Sequence, residues 1–340
     1  MSTLIDSQSK ILPINYFNMG HPQVVRESTA NNLWSCAINA DNYLEVYKSV
    51  DGGTSWTSFQ ILTDYGDVTR FNMAISDSDV VAIALEYTGA CVVVANTASA
   101  GLFGNGIAGI NDYYPTVQWD GINNKFYFYS IDIASSVHIK TSTDGINWSA
   151  IGSVYLSADT MPDIVVANNS KHYTIVISTD VLYEELYFDE VNEAFSTKTT
   201  KFSETSATNK KQFGCCLASN NYVYGFYYVN NSNANYYLRY VRVNLSTGIA
   251  DAEATVLSFG SATPLESLAV SEDGDGNIYL FYSKQSDQKA YYVKWTHSGG
   301  DAGSWGSENL ITSSGYGRFV SAEKTLPAIA TTVALTYFKQ

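Results

Sequence analysis

The sequence predicts an all-β chain built from one repeated four-stranded unit, and three observations carry that prediction. Helical periodicity is almost absent, whereas runs of aromatic and β-branched residues recur along the 340 residues. Each run follows a short apolar segment, which often begins with proline, and a polar turn. A motif centred on an Asp-Gly pair then returns at a fixed position in the unit.

The aromatic runs predict buried strands. The clearest are KFYFYS at 125–130, YVYGFYY at 222–228 and NIYLFYS at 277–283. Each run is bounded by Asn, Gly, Asp or Ser, which favour tight turns. With 45% apolar and 14% aromatic residues, the chain has enough apolar surface for a large core.

Prolines mark the start of most units, because the missing N–H of proline is tolerated at the start of a strand. Successive units begin roughly 48, 45, 47, 50, 52 and 63 residues apart. The markers are Pro22, Arg70, Pro115, Pro162, Gln212, Pro264 and Pro327, and the units at Arg70 and Gln212 lack proline. Repeats of about 40 to 50 residues with four strands each are typical of β-propeller blades. We therefore predict seven blades, with six as the alternative if one proline-less unit is an excursion.

The two ends of the chain predict how the ring closes. After the last marker there is room for only two strands, LPAIATT at 326–332 and VALTYFKQ at 333–340. The start of the chain offers a hairpin within residues 3–17. We expect these N-terminal and C-terminal strands to share one closing blade, which removes exposed strand edges, and residues 1–340 to form a single domain.

Two turn motifs are predicted to be structural. Their residues are Ser49, Asp51, Gly53 and Trp56 in the first, and Ser142, Asp144 and Trp148 in the second, which is one residue shorter. Each Asp lies 29 residues after a marker proline. An Asp followed by glycine folds a tight turn, because its carboxylate accepts backbone N–H bonds while glycine adopts positive φ. We expect each Trp to pack between blades.

This motif resembles the Asp-box, or BNR repeat, of the sialidase-like β-propeller superfamily. The resemblance implies that each box joins the third and fourth strands of a blade, on the face opposite the active site, and a degenerate third copy is expected at 299–305. Sialidases carry an arginine two residues before the proline of the first blade, but Gly20 stands there in this chain. No other marker proline has arginine at that place. The chain therefore lacks the sialidase catalytic motif, and we predict no catalytic residues.

The resemblance also implies where a ligand binds. If each fourth strand leads to the central first strand of the next blade, the segments before the markers crowd the mouth of the axial channel, where loops often carry binding sites. The candidate ligand-binding residues are His21, Arg70, Asp112, Tyr113, Tyr114, Asp159, Lys210, Lys211, Tyr316 and Arg318. Such an aromatic and cationic rim suits stacking on sugar rings or binding an acidic glycan. The alternative for the tyrosines is packing between blades, and for Asp112 and Asp159 it is turn capping.

Charge and composition disfavour several functions. The formal charge of −14, from 33 acidic and 19 basic residues, disfavours a nucleic-acid partner. We expect no membrane insertion, because no window approaches the roughly 18 apolar residues of a membrane helix, and the first residues do not resemble a secretory signal. The four cysteines lack metal-ligand spacing, so we expect buried thiols and no metal or cofactor.

From these observations we expect a non-catalytic recognition or scaffold propeller that binds a glycan or a protein surface. Its Tyr-, Asn- and Ser-rich composition is typical of surface-exposed adhesins and virus-particle proteins, so we expect a place on a virion, on an extracellular surface or in another large assembly. The alternative is an exo-acting glycosidase of sialidase-like type, since Asp67, Asp112 and Asp159 would lie near the mouth.

Overall fold

The fold is seen in a computed structural model of the chain. The described residues are 24–39, 41–96, 103–110, 112–132, 134, 136–155, 163–167, 171–178, 182–189, 194–195, 199–203, 207–231, 235–261, 265–299, 302–311, 317–322 and 335–339. Within these ranges the backbone forms seven antiparallel sheets and no helix.

Each of the first three sheets is a four-stranded meander. Sheet 1 contains β1 (Val24–Arg26), β2 (Leu33–Ile38), β3 (Leu44–Ser49) and β4 (Thr57–Leu62). Sheet 2 contains β5 (Val68–Ile75), β6 (Val81–Tyr87), β7 (Ala90–Asn96) and β8 (Phe103–Ile110). Sheet 3 contains β9 (Asp112–Asp120), β10 (Lys125–Asp132), β11 (Ser136–Ser142) and β12 (Ser149–Tyr155).

Sheets 4 to 6 repeat this order, with the outermost strand divided in two cases, and two strands of sheet 7 are described. Sheet 4 contains β13 (Asp163–Ala167), β14 (Lys171–Ser178), β15 (Leu182–Asp189), β16 (Ala194–Phe195) and β17 (Thr199–Ser203). Sheet 5 contains β18 (Ala207–Ala218), β19 (Tyr222–Asn231), β20 (Asn235–Asn244) and β21 (Ala254–Ser261). Sheet 6 contains β22 (Leu265–Glu272), β23 (Ile278–Lys284), β24 (Ala290–Gly299), β25 (Ala302–Trp305) and β26 (Asn309–Leu310). Sheet 7 contains β27 (Gly317–Ala322) and β28 (Leu335–Lys339). Both β16 and β17 pair with β15, and both β25 and β26 pair with β24.

The first strands of successive sheets lie against one another. Contacts join β1 to β5, β5 to β9, β9 to β13, β13 to β18, β18 to β22 and β22 to β27. First strands that meet in this order are the inner strands of a ring of sheets, so the chain is a β-propeller, as predicted. Both proline-less units form four-stranded sheets of their own, sheets 2 and 5. Seven sheets in the described residues are consistent with seven blades.

Where side chains are described, the core lies between neighbouring sheets, and β6 shows this because both of its faces are buried. Along β6, Val81, Ile83 and Leu85 pack in a cluster with sheet 1. Ala82 and Ala84, on the other face, pack in a cluster with sheet 3. Side chains alternate between the two faces of a strand, so one apolar run serves two interfaces. This explains the near-continuous apolar sequence of the second strands.

The last sheet differs from the predicted one. The described strand that pairs with β28 is β27, Gly317–Ala322, which the sequence did not predict; residues 326–332, predicted for that place, lie outside the described residues. The sequence of β27, GRFVSA, contains aromatic and β-branched residues that suit a strand, and the marker Pro327 assigned it wrongly to a loop. Residues 3–17 and 326–332 lie outside the described residues, so the shared closing blade stays a prediction.

Candidate functional site

The candidate site lies where sheets 2 and 3 meet, at the end of the propeller where the inner strands begin. We call this end the mouth. Arg70 comes from the first half of β5, Glu86 from the end of β6, and Tyr114 from the first half of β9. The structure thus brings residues of three strands together, and two of the three were predicted from the sequence.

A β-bulge in β9 sets the position of Tyr114. Tyr113 pairs with Ile131 and Thr116 pairs with Tyr129, so Tyr114 and the following proline both lie opposite one residue of β10. Tyr114 has a φ of 56°, in the left-handed region that non-glycine residues rarely adopt. A residue before proline also has restricted conformations, so this backbone is strained and needs support from its neighbours. Bulges of this kind redirect side chains at the rims of barrels and next to binding sites.

Glu86 provides that support from the neighbouring sheet. The backbone N–H of Tyr114 donates a hydrogen bond to Glu86 Oε2 at 3.0 Å. The hydroxyl of Thr69 donates to Glu86 Oε1 at 2.9 Å. A bulge leaves a backbone N–H without a partner in the ladder, and such a group destabilises the fold when it is buried without an acceptor. The carboxylate of the buried Glu86 supplies the acceptor and so stabilises the bulge.

Arg70 stacks on the ring of Tyr114. Its Cζ lies 3.9 Å from the ring centroid, and its Nη1 lies 3.6 Å from Glu86 Oε2. This second distance is an ion-pair distance that exceeds a normal hydrogen bond. The guanidinium group is therefore held by a ring face and by charge attraction, and its N–H donors form no hydrogen bond with a described residue.

The other arginines with described side chains are hydrogen-bonded within the protein. Arg26 donates to Asn31, Arg239 donates to Glu253, and Arg242 donates to Asp251 and to the hydroxyl of Tyr224. Within the described part of the chain, the Arg70 guanidinium makes no such bond. Arg70 is thus the exception among these four side chains, although only 24% of its side chain is exposed.

Asp112 and Tyr113, which the sequence assigned to the mouth, precede Tyr114 in β9, and Asp112 is buried. Asp112 is 6% exposed, and its Oδ2 accepts a hydrogen bond of 2.6 Å from the hydroxyl of Ser130. The thiol of Cys91 donates to the backbone oxygen of Asp112 at 3.0 Å. Burial raises the pKa of that thiol above its usual value, and the charges of Glu86 and Asp112 raise it further, so the thiol is protonated at neutral pH. Tyr113 is half-buried.

The remaining predicted residues are placed by their backbone or lie outside the described ranges. Lys210 and Lys211 lie within β18, opposite Val229 and Tyr228. Arg318 lies within β27, opposite Phe338. His21, Asp159 and Tyr316 lie outside the described residues.

The segments that precede the markers were expected to be loops, and this expectation is wrong for β5, β9 and β18. These strands begin before their markers and carry bulges in their first halves. A bulge lets a strand continue past a residue that cannot join the ladder. Candidate residues such as Arg70 and Tyr114 are therefore held by the sheet and not by a flexible loop.

Sequence reasoning missed Glu86. The signal was present as a single acid at the end of the apolar run VAIALEY. A charged residue on the buried face of a strand needs a partner, and a search for such residues would have found it.

The two turn motifs lie at the opposite end of the propeller from Arg70. They join β3 to β4 and β11 to β12, the third and fourth strands of sheets 1 and 3. In the first, Asp51 accepts bonds from the backbone N–H and the hydroxyl of Ser55 and from the hydroxyl of Ser49. The N–H of Gly53, whose φ is 96°, donates to the Ser49 hydroxyl at 2.8 Å. The bonds from Ser55 and then Ser49 lower the pKa of Asp51 to about 2.

The second turn has the same arrangement with different donors. Asp144 accepts bonds from the backbone N–H groups of Ile146 and Asn147 and from the hydroxyl of Ser142. Burial acts to raise the pKa of Asp144, but these bonds outweigh it and lower the pKa to about 2. Trp148 donates its indole N–H to the Gly145 oxygen at 2.9 Å. In the degenerate copy, Asp301 lies outside the described residues.

Metal clusters and membrane-spanning helices are absent from the described residues. Among them, no three His, Cys, Asp or Glu side chains are grouped so that they could hold a metal ion. Within the same ranges, no helix has the length and apolar character needed to cross a membrane.

Comparison with solved structures finds β-propellers. An ulvan lyase of a new polysaccharide lyase family, bound to GlcA(1-4)Rha3S, is 11% identical with a TM-score of 0.63, covering 100% of this chain and 96% of that one. YCF48 from Cyanidioschyzon merolae is 13% identical with a TM-score of 0.54, covering 97% and 98%. The β-propeller domain of Myceliophteria thermophila Cps50 (Swd1) is 11% identical with a TM-score of 0.52, covering 95% of each chain. No protein-family model and no curated protein matches the chain. At these identities the similarity shows the propeller fold alone.

Proposed function

We propose that the protein is a non-catalytic recognition propeller that binds an acidic glycan at the mouth between sheets 2 and 3. The observation that carries this proposal is the Arg70 guanidinium, which is fixed over Tyr114 but forms no hydrogen bond within the described protein. A guanidinium presents paired N–H donors that match the two oxygens of a carboxylate or sulfate. An anionic group of a ligand supplies the acceptors that Arg70 lacks.

The aromatic residues beside Arg70 favour a sugar as the carrier of that anion. Tyr114 and Tyr113 lie together at the mouth, and aromatic rings with polar tips stack on the apolar faces of sugar rings. The ulvan lyase of similar fold binds a glycan that contains GlcA, an acidic sugar. This comparison supports the ligand class by analogy of fold only.

The carboxylates at the mouth favour binding over hydrolysis. A glycosidase needs two carboxyl groups that face the scissile bond, one to protonate the leaving oxygen and one to act on the sugar or on water. Glu86 and Asp112 already accept hydrogen bonds from Tyr114, Thr69 and Ser130. The four described arginine side chains have different partners, whereas sialidases use an arginine triad on one carboxylate.

The proposal includes a relation to Asp-box propellers and a role in a larger assembly. The relation to Asp-box propellers is supported by the two turn motifs, in which a Ser hydroxyl donates to the Asp carboxylate between the third and fourth strands of sheets 1 and 3. A single stacked arginine gives weak affinity per site, so many copies on a virion or adhesin would raise the overall avidity.

The test is a glycan array with uronate, sulfated and neutral glycans, followed by calorimetry on Arg70→Ala and Arg242→Ala. Arg242 is a matched control, because it also stacks on a tyrosine, Tyr222, and 18% of its side chain is exposed. We expect acidic glycans to bind. Arg70→Ala should weaken their affinity at least about tenfold, the equivalent of 1.4 kcal/mol. Arg242→Ala should leave the affinity within about twofold.

Two results would contradict the proposal. Binding that prefers neutral glycans, or that survives Arg70→Ala, would remove the role of Arg70. Release of methylumbelliferone from an acidic 4-methylumbelliferyl glycoside by the purified protein would show turnover and favour the exo-acting glycosidase instead.

A further inference from the structure

Glu86 has two opposing effects on the Arg70 site. Its carboxylate supports the strained Tyr114 backbone through one hydrogen bond and contacts Thr69 through another. The same carboxylate carries a negative charge 3.6 Å from the Arg70 guanidinium. Its geometry helps a ligand by fixing the Arg70–Tyr114 stack, whereas its charge repels an anion that approaches Arg70.

We infer that Glu86 is the positioning residue that sets the anion affinity and charge selectivity of this site. The inference rests on the proposed function and goes beyond it, because it assigns separate roles to the shape and the charge of one side chain. The shape of Glu86 holds the Tyr114 backbone and so the ring under Arg70, and the charge of Glu86, although it attracts Arg70, limits how tightly an anion binds.

The geometry explains why shape and charge can be separated. The Tyr114 N–H needs only an acceptor, which an amide oxygen supplies as well as a carboxylate oxygen does. The Thr69 hydroxyl is both donor and acceptor, so it can accept from an amide nitrogen in place of donating to a carboxylate. Glu86→Gln therefore keeps both contacts and removes the charge. Glu86→Ala removes the charge and both contacts.

The two variants are expected to change affinity in opposite directions. Removal of a like charge within a few ångströms of a bound anion strengthens binding, so Glu86→Gln should bind an acidic glycan about three- to tenfold more tightly. In Glu86→Ala the Tyr114 N–H loses its acceptor and the residue can leave its left-handed conformation. The ring under Arg70 then moves, and affinity should fall at least about threefold below the unchanged protein.

The matched control is a second acid beside an arginine. Glu253 pairs with Arg239 at 3.1 Å in sheet 5, away from the mouth junction. Glu253→Gln removes the same charge from the chain, so it corrects for the change in net charge. It should leave the affinity for acidic glycans within about 1.5-fold of the unchanged protein.

The experiment measures binding of oligogalacturonate and of its methyl ester by calorimetry, because the ester removes the anion and keeps the sugar rings. We expect Glu86→Gln to bind oligogalacturonate more tightly with unchanged binding of the ester, and Glu86→Ala to bind oligogalacturonate more weakly. Melting temperatures confirm that each variant is folded, and Thr69→Val, which removes one of the two contacts, should give a smaller loss of affinity than Glu86→Ala.

Two results would contradict the inference. If Glu86→Gln and Glu86→Ala both bind oligogalacturonate more tightly, only the charge of Glu86 affects binding. If the affinity of Glu86→Gln is unchanged, only the shape of Glu86 affects binding. Either result overturns the inference. An unchanged protein that binds no acidic glycan would overturn the proposed function as well, which distinguishes the two failures.

Discussion

The mouth of the propeller and its opposite end use charged residues differently. At the opposite end, Arg242 stacks on Tyr222, as Arg70 stacks on Tyr114 at the mouth. Arg242 also donates hydrogen bonds to Asp251 and Tyr224, whereas among the described residues Arg70 has the ion pair with Glu86 and no hydrogen bond. An arginine whose donors are satisfied by its own chain holds strands together. An arginine that is positioned but unsatisfied is suited to a ligand.

The largest expected effect is on stability at the opposite end. Arg242→Ala should lower the free energy of unfolding by about 2 kcal/mol, because it removes a stacked, hydrogen-bonded cation and leaves Asp251 without its partner. Arg70→Ala should lower it by less than about 1 kcal/mol, since Arg70 forms an ion pair but no hydrogen bond with the described residues. Urea denaturation followed by tryptophan fluorescence measures both. If Arg70→Ala lowers the free energy of unfolding more than Arg242→Ala does, the proposed difference between the two arginines is wrong.

The next effect separates the ring of Tyr114 from its hydroxyl group. Tyr114→Ala should weaken acidic-glycan binding about fivefold and lower the free energy of unfolding by about 1 kcal/mol, because the ring is partly buried against the cluster of Tyr127, Tyr129 and Ile131. Tyr114→Phe keeps the ring and should change binding less than twofold. Calorimetry and thermal melts check both variants. A large loss in Tyr114→Phe would show that the hydroxyl, and not the stack, contacts the ligand.

The smallest effect concerns the acidic turns of the opposite end. The pKa of Asp51 and of Asp144 is about 2 in the folded protein, below the usual value of 3.8. The unfolded chain therefore binds more protons as the pH falls through this range, so the stability that these groups contribute is complete above about pH 4 and is lost towards pH 2. Asp144→Asn should reduce that loss by at most about 1 kcal/mol, because solvent screens this exposed group.

Asp51→Asn should have the smaller effect of the two, because the Asp51 carboxylate is fully exposed. Acid denaturation curves of both variants at one ionic strength test this order. Glycan affinity measured at neutral pH should not change in either variant, since both turns lie at the far end from Arg70. A loss of affinity in a folded Asp51→Asn or Asp144→Asn protein would place ligand binding at the turns.

Local sequence patterns predicted the sheets well because strands and turns depend on neighbouring residues. The aromatic runs at 125–130 and 222–228 lie in second strands, and the run at 277–283 lies in a second strand from Ile278 onward. The prolines were less reliable markers, because a proline at a bulge lies inside a strand and not at its start. Pro115 lies within β9, and Pro327 misplaced the first strand of sheet 7.

The candidate site could be predicted only in part. Arg70 and Tyr114 were predicted because Arg70 is a unit marker and Tyr114 directly precedes one, and the inner strands that begin near the markers surround the propeller axis. Their contact could not be derived, since it depends on the bulge that turns Tyr114 towards sheet 2. Glu86 lies 28 residues before Tyr114, in a different sheet, and nothing in the local pattern joins them.

The sequence by itself determined the all-β class, the repeat and the two Ser-Asp turns, because each depends on alternation, spacing or hydrogen bonds within about five residues. The tertiary structure decided which charged groups remain unsatisfied. Whether an arginine forms a hydrogen bond depends on which residues of the neighbouring sheet lie beside it. The packing of sheet 2 against sheet 3 places a ring and a charge beside Arg70 but no acceptor of the described residues within hydrogen-bond distance.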